Sequence, residues 1–185
     1  MSISILFIEL IIIGFQTLIW ILLLLFIQLE KHEIVSVIDR LSTESIFIIV
    51  ICCGYFLGII IDRLADLFFS KWNQRLKDKI IPNPSINIGT MRYIVVKDNP
   101  HLNSFLDYTR SRMRISRATA INIPIIAICS VIFGVMKEYF SFCSGLSFSI
   151  IIIGFSIFIL AIYTWKNLTI RHLDLIKTCY NHRDK

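Results

Sequence analysis

Hydrophobic residues in this chain fall into long unbroken blocks. They do not alternate as in a half-buried strand or form the single stripe of a surface helix. Four blocks stand out, at about 3–27, 46–68, 118–136 and 146–165. Each is near the length of about 20 apolar residues that a helix needs to cross a bilayer. The pattern predicts an all-α fold, a four-helix transmembrane bundle forming a single multipass membrane domain over residues 1–185. The first block lacks a preceding positive residue and a following small-residue cleavage site, so it reads as a retained span and not as a signal peptide.

Two spans continue beyond the apolar blocks. Leu64, Phe68, Trp72, Leu76 and Ile80 recur every fourth position until Pro82 and Pro84 end the run. This predicts one helix of about 36 residues, about 54 Å long. Residues 82–100 read as a loop with a short extended piece at Arg92–Val96. A further helix is predicted to begin near Asp98–Pro100 and to run into the third span, kinked at Pro124. Spans 2 and 3 would thus extend into a helical hairpin over about 70–117, packed through the Leu/Phe/Trp stripe and joined by the tail 166–185. The loop 29–45 reads as amphipathic at most.

Charge sets the expected orientation. Residues 70–117 carry Lys71, Arg75, Lys77, Lys79, Arg92, Lys97, Arg110, Arg112, Arg114 and Arg117, while the loop at 137–145 has only Lys137. The tail adds Lys166, Arg171, Lys177, Arg183 and Lys185. Basic loops stay inside, so the middle loop and both termini are expected on the cytoplasmic side. The net charge of +6 is explained first by this topology and by attraction to anionic lipid headgroups.

Several polar residues lie inside the apolar blocks: Glu9 and Gln16 in the first, Tyr55, Asp62, Arg63 and Asp66 in the second, and Asn122 in the third. Insertion of a charge at mid-bilayer costs about 2.5–3.5 kcal/mol, so such side chains face a bundle interior and often mark function. Spans 1 and 2 are antiparallel neighbours. Counting from the loop between them, Glu9 should lie level with Asp62 and Arg63, and Gln16 with Tyr55. Arg63 would then pair with Glu9, Asp62 or Asp66, leaving a negative excess that a proton or another cation offsets. The plainest role for the cluster is to fix helix rotation; the alternative is a proton or ion path. Gly54 and Gly58, four apart, permit close helix packing within the chain or between copies in a homo-oligomer.

Arg110, Arg114 and Arg117 share one helical face and, with Trp72, are candidates for contact with lipid phosphates or an acidic partner. Direct nucleic-acid binding is not expected, since charge is its only support. No nucleophile elbow, HExxH or Walker sequence is present, so no enzymatic activity and no cofactor are expected. Five cysteines occur; none has zinc spacing, no metal site is expected, and Cys143 stands as a free thiol on the outer side.

Composition is rich in Ile and Phe, with only 7 Gly and 4 Pro, a usage frequent in AT-rich mobile and defence genes of bacteria. In length and topology the chain resembles the membrane subunits of bacterial antiphage systems, in particular the four-span membrane subunit of the Kiwa system. The resemblance brings no residue assignments. It implies an oligomeric inner-membrane scaffold or sensor that docks a soluble cytoplasmic effector through the basic hairpin. Two alternatives come from other classes: an oligomeric ion- or proton-conducting pore, and an immunity protein against a pore-forming toxin.

Overall fold

A computed structural model describes residues 3–29, 42–81, 88–142 and 144–183. Among them are five helices: α1 (Ile3–Gln28), α2 (Thr43–Ile80), α3 (Ile88–Asp98), α4 (Pro100–Met136) and α5 (Gly145–Arg183). No strand occurs among the described residues. Helices α1, α2, α4 and α5 are each long and apolar enough to cross a membrane. Their outer faces carry exposed large apolar side chains such as Phe47, Phe56, Ile152, Phe155 and Leu160. Lipid accepts that surface where water would not. The chain is a multipass membrane protein. Most of the amphipathic loop, Pro82, Pro84 and Cys143 lie outside the described residues.

Ser42 starts α2 by accepting the amide of Ser45 at 3.3 Å, one of the four amides a helix start leaves without a partner. The helix then runs unbroken to Ile80, as the four-residue spacing implied. Helix α4 begins with Asn99 as its cap and Pro100 in the first turn, and continues through Pro124 to Met136.

Two expectations change. Arg92–Val96 is not extended but lies within α3. Met91 and Val95, one turn apart, are both buried, and Met91 packs with Leu106 of α4 and Ile176 of α5. A helix bonds its own backbone groups, whereas a lone strand here would leave them open. The second change concerns the stripe on α2. Leu64, Phe68 and Trp72 are 42%, 74% and 46% exposed. The inward positions are Gly54, Gly58, Ile61, Asp62, Ala65 and Phe69. Turning Asp62 inward to a cation sets this rotation and carries the apolar stripe out.

Helix α1 packs on α2 and α4, and α4 packs along α5. Gly14 and Gly58 allow the α1–α2 approach. A Cβ on Gly14 would meet the Gly54 carbonyl oxygen at 1.6 Å, and one on Gly58 the Leu10 carbonyl oxygen at 1.9 Å. Gly58 therefore serves a contact within the chain. Gly54 contributes its backbone, since a Cβ there would meet only Leu18 Cδ1 at 3.6 Å. At the end rich in Lys and Arg, here the basic end, the α2 and α4 extensions do not form a two-helix hairpin alone. Trp165 of α5 packs with Phe69 of α2 and Ala120 of α4, and the core around Met91, Leu106 and Ile176 joins α3, α4 and α5.

Candidate functional site

Helices α1 and α4 run side by side in the same direction, and between them lies a column of polar side chains. It starts near the basic end. Arg117 Nη1 is 2.5 Å from Asp66 Oδ1, with Asp66 45% exposed at its side chain. Arg114, one turn nearer the basic end on α4, crosses over to donate from Nη2 to Asp62 Oδ2, one turn deeper on α2, at 2.7 Å. Its Nη1 lies 3.8 Å from Glu9 Oε2, near enough to pair charges but too far for a hydrogen bond. Glu9 and Asp62 are each only 3% exposed.

Beyond the charges the column becomes neutral. Gln16 Nε2 donates to Thr119 Oγ1 at 3.1 Å. Trp20 Nε1 donates to Asn122 Oδ1 at 3.1 Å. The Thr17 hydroxyl donates to Ile13 O at 3.1 Å and stands 3.4 Å from the same Asn122 oxygen. From Arg114 to Asn122 the column spans about 12 Å of helix. Past Trp20, α1 continues as Ile21–Ile27, wholly apolar.

The charge count in the column is uneven. Glu9, Asp62 and Asp66 face Arg114 and Arg117, so with all ionised one negative charge is in excess. Both Glu9 oxygens and Asp62 Oδ1 are buried without a hydrogen-bond partner, as are Arg117 Nε and Asn122 Nδ2. Buried polar atoms of this kind are uncommon. The site therefore has spare acceptor capacity and spare negative charge, the chemistry that holds a proton or a cation.

Glu9, Asp62, Asp66, Gln16 and Asn122 thus meet one column, but Glu9 reaches Asp62 through Arg114 and not by lying level with it. Arg63 does not join it. It is exposed and makes no ion pair with the described residues. Successive residues on a helix diverge by about 100°, so Asp62 and Arg63 cannot both face inward. Arg114 and Arg117, expected to meet lipid or a partner, supply the cations instead. Tyr55 is not level with Gln16; its ring lies 5.0 Å from that of Phe7. The glycine contacts shift the α1–α2 register by about one helical turn from the loop-based expectation. Thr17, Thr119 and Gly14 were not anticipated. A signal for the arginines existed: three carboxylates near one Arg call for a second cation, and Arg114 and Arg117 lie about one helical turn apart, as Asp62 and Asp66 do.

Arg110 is exposed at the basic end. Trp72 is half-exposed, edge-on to Phe69 at 5.4 Å and tilted against Trp165 at 6.3 Å. Below the apolar blocks His172 is partly buried, with its Nδ1 unpartnered. Burial lowers its pKa to about 4, assisted by the Arg92 and Arg110 cations and opposed by Asp107. Among the described residues no cluster of three His, Cys, Asp or Glu is placed to hold a metal ion.

The fold and column together define a four-span multipass membrane protein with a buried, charge-lined interhelical site. Against known proteins nothing matches: no family model, no curated protein and no solved structure.

Proposed function

We infer that the chain is a membrane scaffold or sensor subunit whose basic end faces the cytoplasm and docks a soluble partner. The observation that supports this is the build of that end. Helices α3, α4 and α5 there share a core of their own around Met91, Leu106 and Ile176, yet a side of α4 is left uncovered. Phe105 and Tyr108 are 55% and 56% exposed, and Arg112 lies over the Tyr108 ring at 5.1 Å. These three positions share one helical face. Aromatic residues with an arginine are the composition of interface hot spots. In a bacterial antiviral system, which the length and topology resemble, the partner would be an effector.

Affinity capture of the full-length protein in mild detergent, with mass determination of the eluate, tests this reading. A homo-oligomer with a soluble protein, lost on Phe105→Ala plus Arg112→Glu, would support it. A homo-oligomer without a soluble protein would move the weight to a membrane-only role, and a monomer alone would favour the immunity reading.

A second reading, proton or cation uptake within the membrane, rests on the buried Glu9 carboxylate, whose oxygens have no hydrogen-bond partner. The column opens toward the basic end through Asp66 and gives way to apolar side chains beyond Asn122. Within one copy this favours a one-sided site that senses a cation over a continuous pore. Ion flux in reconstituted vesicles, with Glu9→Gln as the variant, separates the two: a pore would leak and respond to the substitution, and a one-sided site would not leak.

A further inference from the structure

Where the apolar blocks of α2 and α5 give way to charge, the two helices run side by side in the same direction and leave a cleft of about 230 Å³ between them. Trp72, Arg75 and Leu76 of α2 line one side, and Ile162, Trp165 and Lys166 of α5 the other. On each helix these fall at i, i+3 and i+4, the spacing of one face. Because the helices are parallel, Arg75 and Lys166 both lie toward the basic end of the cleft. Lys177 Nζ bonding to Ile80 O at 2.7 Å, further along the same pair, holds this alignment.

The walls are nearly all apolar. Trp165 is buried and Trp72 half-exposed, so one indole forms the floor and the other a side. The stems of Arg75 and Lys166 extend the apolar wall and carry their charges to its rim. Neither cation forms an ion pair with an acidic group among the described residues, unlike Arg114 and Arg117, which are committed to Asp62 and Asp66. The neighbouring Phe68 and Tyr163 are 74% and 62% exposed, consistent with a cleft that opens sideways onto the bilayer. An apolar slot at membrane-interface depth, open to lipid and rimmed by two uncommitted cations, matches one ligand: an amphiphile with an anionic head.

We propose that the α2–α5 cleft is a specific site for one anionic phospholipid, its phosphate held by Arg75 and Lys166 and the start of an acyl chain lying against Trp72 and Trp165. The indoles would sit at headgroup depth, where Trp is enriched. The site would fix the crossing of α2 and α5 just before the helices leave the membrane, and so link lipid composition to the structure of the basic end.

The test is native mass spectrometry of the full-length protein, titrated with phosphatidylglycerol or phosphatidylcholine of identical acyl chains. The expected result is preferential retention of one phosphatidylglycerol. Arg75→Ala with Lys166→Ala should reduce the preference roughly thirtyfold, while Arg110→Ala with Arg112→Ala, exposed cations elsewhere, should leave it unchanged. Trp72→Ala, which keeps both cations, should weaken retention of either lipid. Equal retention of the two lipids, or an undiminished preference in the Arg75/Lys166 variant, would overturn the proposal. Displacement of the lipid by excess glycerol phosphate would also overturn it, by showing a site for a soluble anion.

Discussion

Arg114 and Asp62 meet at 2.7 Å, a cation from α4 and a carboxylate from α2, with the Glu9 carboxylate 3.8 Å from the same guanidinium. One guanidinium thus serves two carboxylates drawn from two other helices. The arrangement holds α1, α2 and α4 in one rotational setting, because turning any of them would leave a charge buried alone.

Replacing Arg114 by Ala should therefore destabilise the bundle strongly. Removing one partner of a buried ion pair costs about 3–5 kcal/mol, since the other charge stays buried. The thermal midpoint in detergent should drop accordingly. Combining Arg114→Ala with Asp62→Asn and Glu9→Gln should recover much of the loss. No recovery in the triple variant would show that Arg114 acts through packing and not through charge.

Gly14 and Gly54 should differ sharply although they face each other. Gly14→Ala puts a Cβ at 1.6 Å from a backbone oxygen, whereas Gly54→Ala meets only a flexible Leu18 methyl at 3.6 Å. Overpacking costs about 1–3 kcal/mol or more when backbone must move. Gly14→Ala should lower the thermal midpoint, and Gly58→Ala likewise, while Gly54→Ala should be near neutral. Equal effects at Gly14 and Gly54 would contradict this helix contact.

His172 makes the basic end sensitive to acid. Its pKa in the folded chain is about 4, below the ordinary 6.5, because burial and then the Arg92 and Arg110 cations disfavour the charged ring, with Asp107 opposing them. The folded form thus binds a proton less readily than the unfolded form. Stability from this group is full above about 6.5 and falls as pH drops from there toward 4. Hydrogen exchange of α3 and the end of α5 should accelerate over that interval. His172→Leu should flatten the dependence.

Asn122 joins α1 to α4 by accepting the Trp20 indole N–H at 3.1 Å. Asn122→Ala should leave that donor without a partner and cost about 0.6–1.7 kcal/mol, the range found for interhelical polar contacts in membranes. A thermal midpoint unchanged from the parent chain would mean that the indole finds another acceptor.

The spans, their number and the run of α2 past the apolar block were legible in the sequence. Block hydrophobicity and four-residue spacing are local properties, and a bilayer admits few ways of satisfying a backbone. The depth of the polar residues was legible to within about one helical turn, since depth follows from counting along a helix while the loop between helices sets the register. Rotation was not. Whether Asp62 or Arg63 turned inward, and whether Leu64, Phe68 and Trp72 formed a core or an outer face, depended on which neighbour supplied the opposing charge. Lipid accepts either apolar face, so composition alone could not choose between them.

Residues 88–98 show the same division at smaller scale. The sequence reads here as a loop with a short extended piece at Arg92–Val96, and the packing of Met91 against Leu106 and Ile176 makes the helix the better solution. By itself the sequence determined that this is an all-α membrane protein of four spans with charges lodged at known depths, because those features follow from hydrophobicity and helical rise. The tertiary structure alone decided that α1 lies beside α4, that Arg114 and Arg117 are internal, and that Gly14 is a contact point. Pairing across helices is a long-range choice, set by where buried charge can find its complement and where two backbones can touch.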